Sequence, residues 1–200
     1  FTPIVTDKAE DGNLYDSIED AIDRGVKELW LVSYEKDPTT DKYTNTLRKN
    51  LEIEAGVTLT LHMNGVKLEG IAGSPALTVS GGTLTVQGEA DLVSQNITAS
   101  SENPAPAVRV TSGSLVFEDA VTAVGSASSS ASASAIEVSG GTVTFGNTVD
   151  ATAPDCTPDV VRPTLSPAIN VTGGKVVFQG DVTATGGHSA GNDNSNPTQG

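Results

Sequence analysis

The chain has 200 residues, of which 36% are hydrophobic and only 4% aromatic, and its formal net charge at pH 7 is −14. Such an acidic chain argues against nucleic acid and anionic membranes as partners, because both require clustered Lys and Arg. Few aromatic residues and 21 glycines suit a narrow core of small aliphatic side chains. The single cysteine, Cys156, excludes an intrachain disulfide.

The first predicted element is a helix over residues 11–25. Its apolar residues recur at helical spacing, at Leu14, Ile18, Ala21, Ile22 and Val26. Asp11 or Asn13 can cap its start, and Gly25 suits the position after its end. A helix ahead of a β repeat commonly covers the open first rung, so we expect this one to act as a cap.

After a strand over 27–32 and a polar loop from about 34 to 50, one block of sequence occurs four times. The copies begin at Pro75, Pro106, Ser134 and Pro167, and a diverged copy precedes them over 51–61. Steps of 26, 31, 28 and 33 residues separate the aligned aliphatic residues Leu51, Leu77, Val108, Ile136 and Ile169. A repeat of this length indicates units that bury their apolar faces by stacking on one another.

Within each copy, apolar and polar residues alternate over three short segments, which predicts three strands with one wet face each. The expected inward columns include Val110, Val138 and Val171 in the first strand and Phe117, Phe145 and Phe178 in the second. The sequence thus predicts an all-β fold, a right-handed single-stranded parallel β-helix with three strands per rung, about five rungs and an N-terminal capping α-helix. An antiparallel sandwich is the alternative.

We expect one β-helix domain over residues 1–200. Residues 1–50 supply the cap helix, first strand and loop, and residues 51–186 supply the repeat rungs. Residues 187–200 form a polar loop that continues into further rungs in a longer protein. Variable loops leave every rung at one corner, and the Ser-rich loop over 126–134 is predicted to be mobile.

The leading helix and the repeats resemble the pectin-lyase-like superfold over about residues 14–186. The similar segments are 17–22, 56–65 and the Gly-Gly-Thr-Leu-Thr-Val copies. The chain is more closely similar to repeat-bearing surface proteins of gut and cellulolytic Gram-positive bacteria, described as adhesins or carbohydrate-binding domains. This resemblance implies an extracellular, cell-surface location and a polysaccharide, host-surface glycan or host-surface protein as partner. The resemblance indicates the architecture but says little about which ligand is bound.

Enzymes of this superfold cut polysaccharides, and two groups of residues are candidates for such chemistry. Asp91 and Asp150 share an outward column two rungs apart, about 10 Å, which suits a glycosidase pair or simply a solvated face. Arg109 stands beside Glu137, either as an exposed ion pair or as a lyase base next to a metal-holding carboxylate. A Ca²⁺ site needs several oxygen ligands, and only one carboxylate lies near Arg109. We therefore expect no cofactor, and Ca²⁺ is the alternative.

Two further side chains are candidates for contact with a ligand. Tyr34 and Tyr43 in the long N-terminal loop are candidate contact residues, whereas Trp30 is expected to be partly buried packing and His62 a surface or turn residue. We therefore expect a monomeric, non-enzymatic extracellular module, an adhesin or carbohydrate-binding β-helix. It would use its loop edge or an outer sheet face, and this segment would not insert into a membrane. A polysaccharide lyase or glycoside hydrolase is one alternative, and a purely structural spacer is another.

Overall fold

The computed structural model describes residues 5–8, 12–32, 35–36, 43–44, 46–96, 103–128, 131–156 and 165–187, and every structural statement below concerns these residues. The elements are β1 (Val5–Thr6), β2 (Leu14–Tyr15), α1 (Ile18–Asp23), β3 (Glu28–Leu31), β4 (Glu35–Lys36), β5 (Tyr43–Thr44), β6 (Thr46–Arg48), β7 (Leu51–Ile53), β8 (Thr58–His62), β9 (Lys67–Gly70), β10 (Leu77–Gln87), β11 (Ala90–Ser94), β12 (Val108–Phe117), β13 (Val121–Val124), β14 (Ile136–Val138), β15 (Thr142–Phe145), β16 (Val149–Thr152), β17 (Ile169–Val171), β18 (Lys175–Phe178) and β19 (Val182–Thr185).

The repeat stacks as a parallel β-solenoid. A first column runs β7–β10–β12–β14–β17, a second β3–β8–β10–β12–β15–β18, and a third β6–β9–β11–β13–β16–β19, each with parallel pairing. Val110 pairs with Val138 and Val138 with Val171, as the sequence predicts. The first column stacks five strands in four steps, and the solenoid has about four turns, so the antiparallel sandwich is wrong.

The first two predicted strands of a rung are not always separate. β10 and β12 each run through both strands, and the expected turn between them is a shift of register at Ser80. Gly82 explains this path, because a Cβ there would lie 2.5 Å from the carbonyl oxygen of Glu54 in the preceding rung. The strands of the first two columns therefore belong to one 11-stranded sheet, and those of the third column form a 6-stranded sheet.

Inward side chains from the three columns form one continuous hydrophobic core. The rings of Phe117 and Phe145 stack with centroids 5.3 Å apart, and those of Phe145 and Phe178 stack at 5.1 Å. Val110 and Val138 are also fully buried in the first column. Each inward residue thus packs on its equivalents in the rungs above and below, and the core runs along the length of the solenoid.

The N-terminal end differs from the prediction. Helix α1 begins only at Ile18, since Leu14–Tyr15 pairs antiparallel with β1 instead of continuing the helix. Ser17 is the N-cap, its hydroxyl accepting a 3.0 Å hydrogen bond from the Asp20 amide. β1 also pairs antiparallel with β3, so β1 and β2 cover the edge of the larger sheet. The capping role of α1, the three strands per rung and the right-handed winding stay predictions.

Two segments expected to be loops carry structure. Within the predicted polar loop, β4 pairs antiparallel with β5, and β6 begins the third column one rung earlier than the repeat. In the Ser-rich loop, Ser126 is buried, and its hydroxyl accepts a 2.8 Å hydrogen bond from the Ala105 amide. Ser132 donates to the carbonyl oxygen of Pro154 at 2.6 Å. The described part of this loop is thus packed rather than free, because small hydroxyl side chains bond to the neighbouring backbone.

Candidate functional site

We call the outward side chains of the first, second and third columns the first, second and third faces. On the first face, Arg109 and Glu137 lie on paired strands, with the Arg109 Nη2 atom 3.3 Å from the Glu137 Oε2 atom. Both side chains are more than a third exposed, so the pair is a solvated contact worth less than about 1 kcal/mol. Their neighbours in the column are Thr78 and Asn170, so no second carboxylate stands beside Arg109.

The third face carries the two candidate aspartates. Asp91 pairs in register with Thr122, and Thr122 pairs with Asp150, which confirms the predicted column. Two strand spacings separate the carboxylates, roughly 10 Å. Asp91 lines a cleft of about 400 Å³ together with Lys67 and Glu89, but Asp150 does not line it. The two carboxylates therefore do not share a described cleft.

The candidate tyrosines stay untested. Tyr34 lies outside the described residues, and so does the side chain of Tyr43, whose backbone forms part of β5. Among the described residues, no group of three or more His, Cys, Asp and Glu side chains is placed to hold a metal ion.

A regular array of hydroxyl groups lies on the second face. Because side chains alternate along each strand, two rows of paired residues point outward on this face. One row is Thr60, Thr85, Val116 and Thr144, and the other is Thr58, Thr83, Ser114 and Thr142. We call these eight residues the hydroxyl face. Neighbouring strands lie about 4.8 Å apart, so each row repeats at that spacing. None of its seven hydroxyl-bearing side chains makes a hydrogen bond with a described residue, so these groups are open to water or a ligand.

The eight residues of the hydroxyl face are uncharged, and its rows end beside Glu28, which pairs with Thr60, and Lys175, which pairs with Thr142. On the first face, by contrast, the hydroxyl of Ser80 donates to the Glu52 carboxylate at 2.8 Å, and Arg109 is paired with Glu137. On the third face, Arg48 lies 3.4 Å from Glu69. These contacts engage part of the charge on the other two faces, whereas the hydroxyl groups of the second face offer donors and acceptors without charge.

An aromatic stack lies at the N-terminal end of the second face. Trp30 and His62 occupy paired positions of β3 and β8, and their rings stack with centroids 4.1 Å apart and planes 4° apart. The His62 Nε2 atom lies 2.9 Å from the Glu28 carboxylate, which holds the imidazole in place. The rings stack along the ladder, so they present edges rather than an open face. Sequence reasoning missed this pairing because it depends on the register of β3 against β8.

Groups with a shifted pKa lie away from the hydroxyl face. The hydrogen bond from the Asn13 amide lowers the pKa of Asp7, and loss of hydration raises the pKa of Tyr15. Burial likewise raises the pKa of the Cys156 thiol. None of these three residues lies in a repeat column, so each shift follows from local packing at the N-terminus or beneath a loop.

No family model, no curated protein and no solved structure matches the chain. The resemblance to pectin-lyase-like and adhesin repeats therefore rests on the sequence motifs alone, and the shared feature that the fold supports is the parallel β-solenoid. Across the described ranges, no helix has the length and apolar character needed to cross a bilayer.

Proposed function

We propose that this chain is a non-enzymatic, extracellular module of a bacterial surface protein, and that its hydroxyl face binds a neutral polysaccharide. The observation that carries the proposal is the row of unpaired, uncharged hydroxyl groups repeated at the strand spacing. Hydroxyl groups both donate and accept hydrogen bonds, as sugar hydroxyls do, so the two surfaces are chemically matched.

Charge decides between classes of glycan. A chain of net charge −14 repels polyanionic glycans at physiological ionic strength, whereas a neutral polysaccharide meets no such barrier. Val116, in the middle of the hydroxyl face, adds an apolar contact for the carbon face of a sugar ring. Each hydrogen bond contributes only about 1 kcal/mol net, so useful affinity requires many sugar units in contact along the ladder.

The test is binding to immobilised neutral and acidic polysaccharides, with and without EDTA. A triple variant, Thr60→Val, Thr85→Val and Thr144→Val, removes three hydroxyl groups while keeping the β-branched shape. Val116 shows that valine fits this row. At about 1 kcal/mol for each lost hydrogen bond, we expect roughly a hundredfold weaker binding. Thr78→Val, on the first face, is the matched control and should bind as the unaltered chain does.

Two results would contradict the proposal. One is binding of the triple variant that equals the control. The other is binding of acidic glycans alone that EDTA abolishes, which would indicate a calcium bridge. Absence of binding to any glycan would leave the role of a structural spacer.

An enzymatic alternative is favoured by one observation, the cleft beside Asp91 on the third face, where Glu89 and Lys67 are close by. It predicts release of reducing or unsaturated ends from a polysaccharide, with the release abolished by Asp91→Asn. The non-enzymatic proposal predicts no release by either protein.

A further inference from the structure

The hydroxyl face has a fixed repeat in two directions. Across this face, β8, β10, β12 and β15 pair without a shift of register, so each of the four rungs contributes the same two outward positions. The rungs are about 4.8 Å apart, and the two positions on one strand are separated by roughly 7 Å. The face is therefore a grid of four rungs and two rows, with about 14 Å between its first and last rungs.

The grid also has a defined length. On the far side of β15, the next strand offers Lys175 and Val177 at the equivalent outward positions. At the other end, Glu28 pairs with Thr60, and the His62 Nε2 atom already lies 2.9 Å from the Glu28 carboxylate. Neither neighbouring strand supplies a further hydroxyl group to the rows at these paired positions. A ligand that follows the rows thus meets a matching surface over four rungs only.

An extended glycan of the cellulose or mannan type matches this grid in both directions. Such a chain is flat, it advances by nearly one strand spacing per sugar, and each ring is turned over relative to the one before it. The turn exchanges the two hydroxyl-bearing edges of the ring, so both rows must be able to donate and to accept hydrogen bonds. Thr and Ser hydroxyl groups do both. A chain of the amylose type coils instead, so its sugars leave a straight grid within a few units.

We propose that the hydroxyl face binds an extended, neutral glycan of the cellulose or mannan type along the stack, with one sugar over each of the four rungs. This inference rests on the proposed function and adds the class of glycan, the direction of its chain and the number of sugars bound. Thr side chains are branched at Cβ and occupy few rotamers, so the grid loses little conformational freedom when a ligand binds. With one net hydrogen bond per sugar, each added sugar strengthens binding about fivefold up to the fourth.

The experiment measures dissociation constants by amide NMR titration, which suits weak binding. The ligands are oligosaccharides of cellulose and of mannan with two to six sugars, and amylose oligosaccharides of the same lengths are the matched control. We expect affinity for at least one of the two extended series to rise with length and to level off at four sugars. The four-sugar amylose ligand should bind at least tenfold more weakly, because its coiled chain contacts fewer rungs.

Two double variants remove the same number of hydroxyl groups from different rungs. Thr142→Ala with Thr144→Ala alters the last rung, so affinity should level off at three sugars instead of four. Thr83→Ala with Thr85→Ala alters an inner rung, so it should weaken the four-sugar ligand to a similar degree while affinity still levels off at four. Circular dichroism checks the fold of both variants. The comparison of ligand series requires no variant, so it tests the proposal even if a double variant does not fold.

Three outcomes would overturn this inference and leave the proposed function standing. They are equal affinity for the extended and coiled series, affinity that keeps rising beyond four sugars, and levelling off at the same length in both double variants. Absence of binding to every neutral glycan would contradict the proposed function, and the inference with it. Binding that survives the loss of the Thr60, Thr85 and Thr144 hydroxyl groups would do the same.

Discussion

Truncation of Phe145 tests the stacked core quantitatively. The ring is fully buried and stacks on a ring on each side, at 5.3 and 5.1 Å. Phe→Ala in a core lowers the free energy of unfolding by about 3–5 kcal/mol, and each aromatic pair contributes roughly 0.5–1.5 kcal/mol. Because Phe145 has two stacked partners, we expect Phe145→Ala to lower it by about 4–5 kcal/mol. Phe178 is 37% exposed and has one stacked partner, so Phe178→Ala should cost about 2 kcal/mol.

The assay is equilibrium unfolding in urea, followed by far-ultraviolet circular dichroism and by fluorescence of the single tryptophan, Trp30. Coincident transitions from the two probes would justify a two-state free energy of unfolding. Phe145→Leu, which keeps most of the volume but no ring, provides a milder variant with an expected cost of about 1–2 kcal/mol. Equal costs for Phe145→Ala and Phe178→Ala would refute the reasoning, because both rings would then be equally buried.

Three further predictions concern single positions. Gly141→Ala should lower the urea midpoint of unfolding far more than Gly88→Ala. Both glycines have a positive φ, but of the two only Gly141 would place a Cβ 2.6 Å from a backbone oxygen. Similar midpoints for the two variants would contradict the close approach of neighbouring rungs at Gly141. Arg109→Ala should change the free energy of unfolding by less than about 1 kcal/mol, since its pair with Glu137 is exposed; a larger loss measured by urea titration would show a buried role. The thiol of Cys156 should react slowly with a disulfide reagent in the folded protein and quickly in urea, because it is buried and its pKa is raised; fast reaction of the folded protein would contradict that burial.

The repeat made most of the solenoid predictable. Period-two alternation and the spacing of the copies place Leu77, Val108, Ile136 and Ile169 in one column, and the structure pairs them in that order. A one-residue slip would have turned every inward side chain outward, so the register was strongly specified by the hydrophobic pattern.

The features that the sequence did not predict lie mostly outside the repeat. β1 and β2 have two residues each, too short for any periodic signal, and Leu14 suits a helical pattern although it lies in β2. The pairing of Trp30 with His62 joins a rung to a segment outside the repeat. Alternation in the repeats indicates outward ladders of Thr and Ser, but the absence of hydrogen bonds between their hydroxyl groups and other described residues depends on three-dimensional neighbours rather than on sequence.

The most direct measurement for the proposed function is a backbone amide NMR titration with a soluble neutral oligosaccharide that the chain binds. The account predicts shifts at Thr60, Thr85 and Thr144 and their strand neighbours, with Thr78 and Asp91 unchanged. Shifts confined to the cleft at Asp91, or to the loops between rungs, would contradict it.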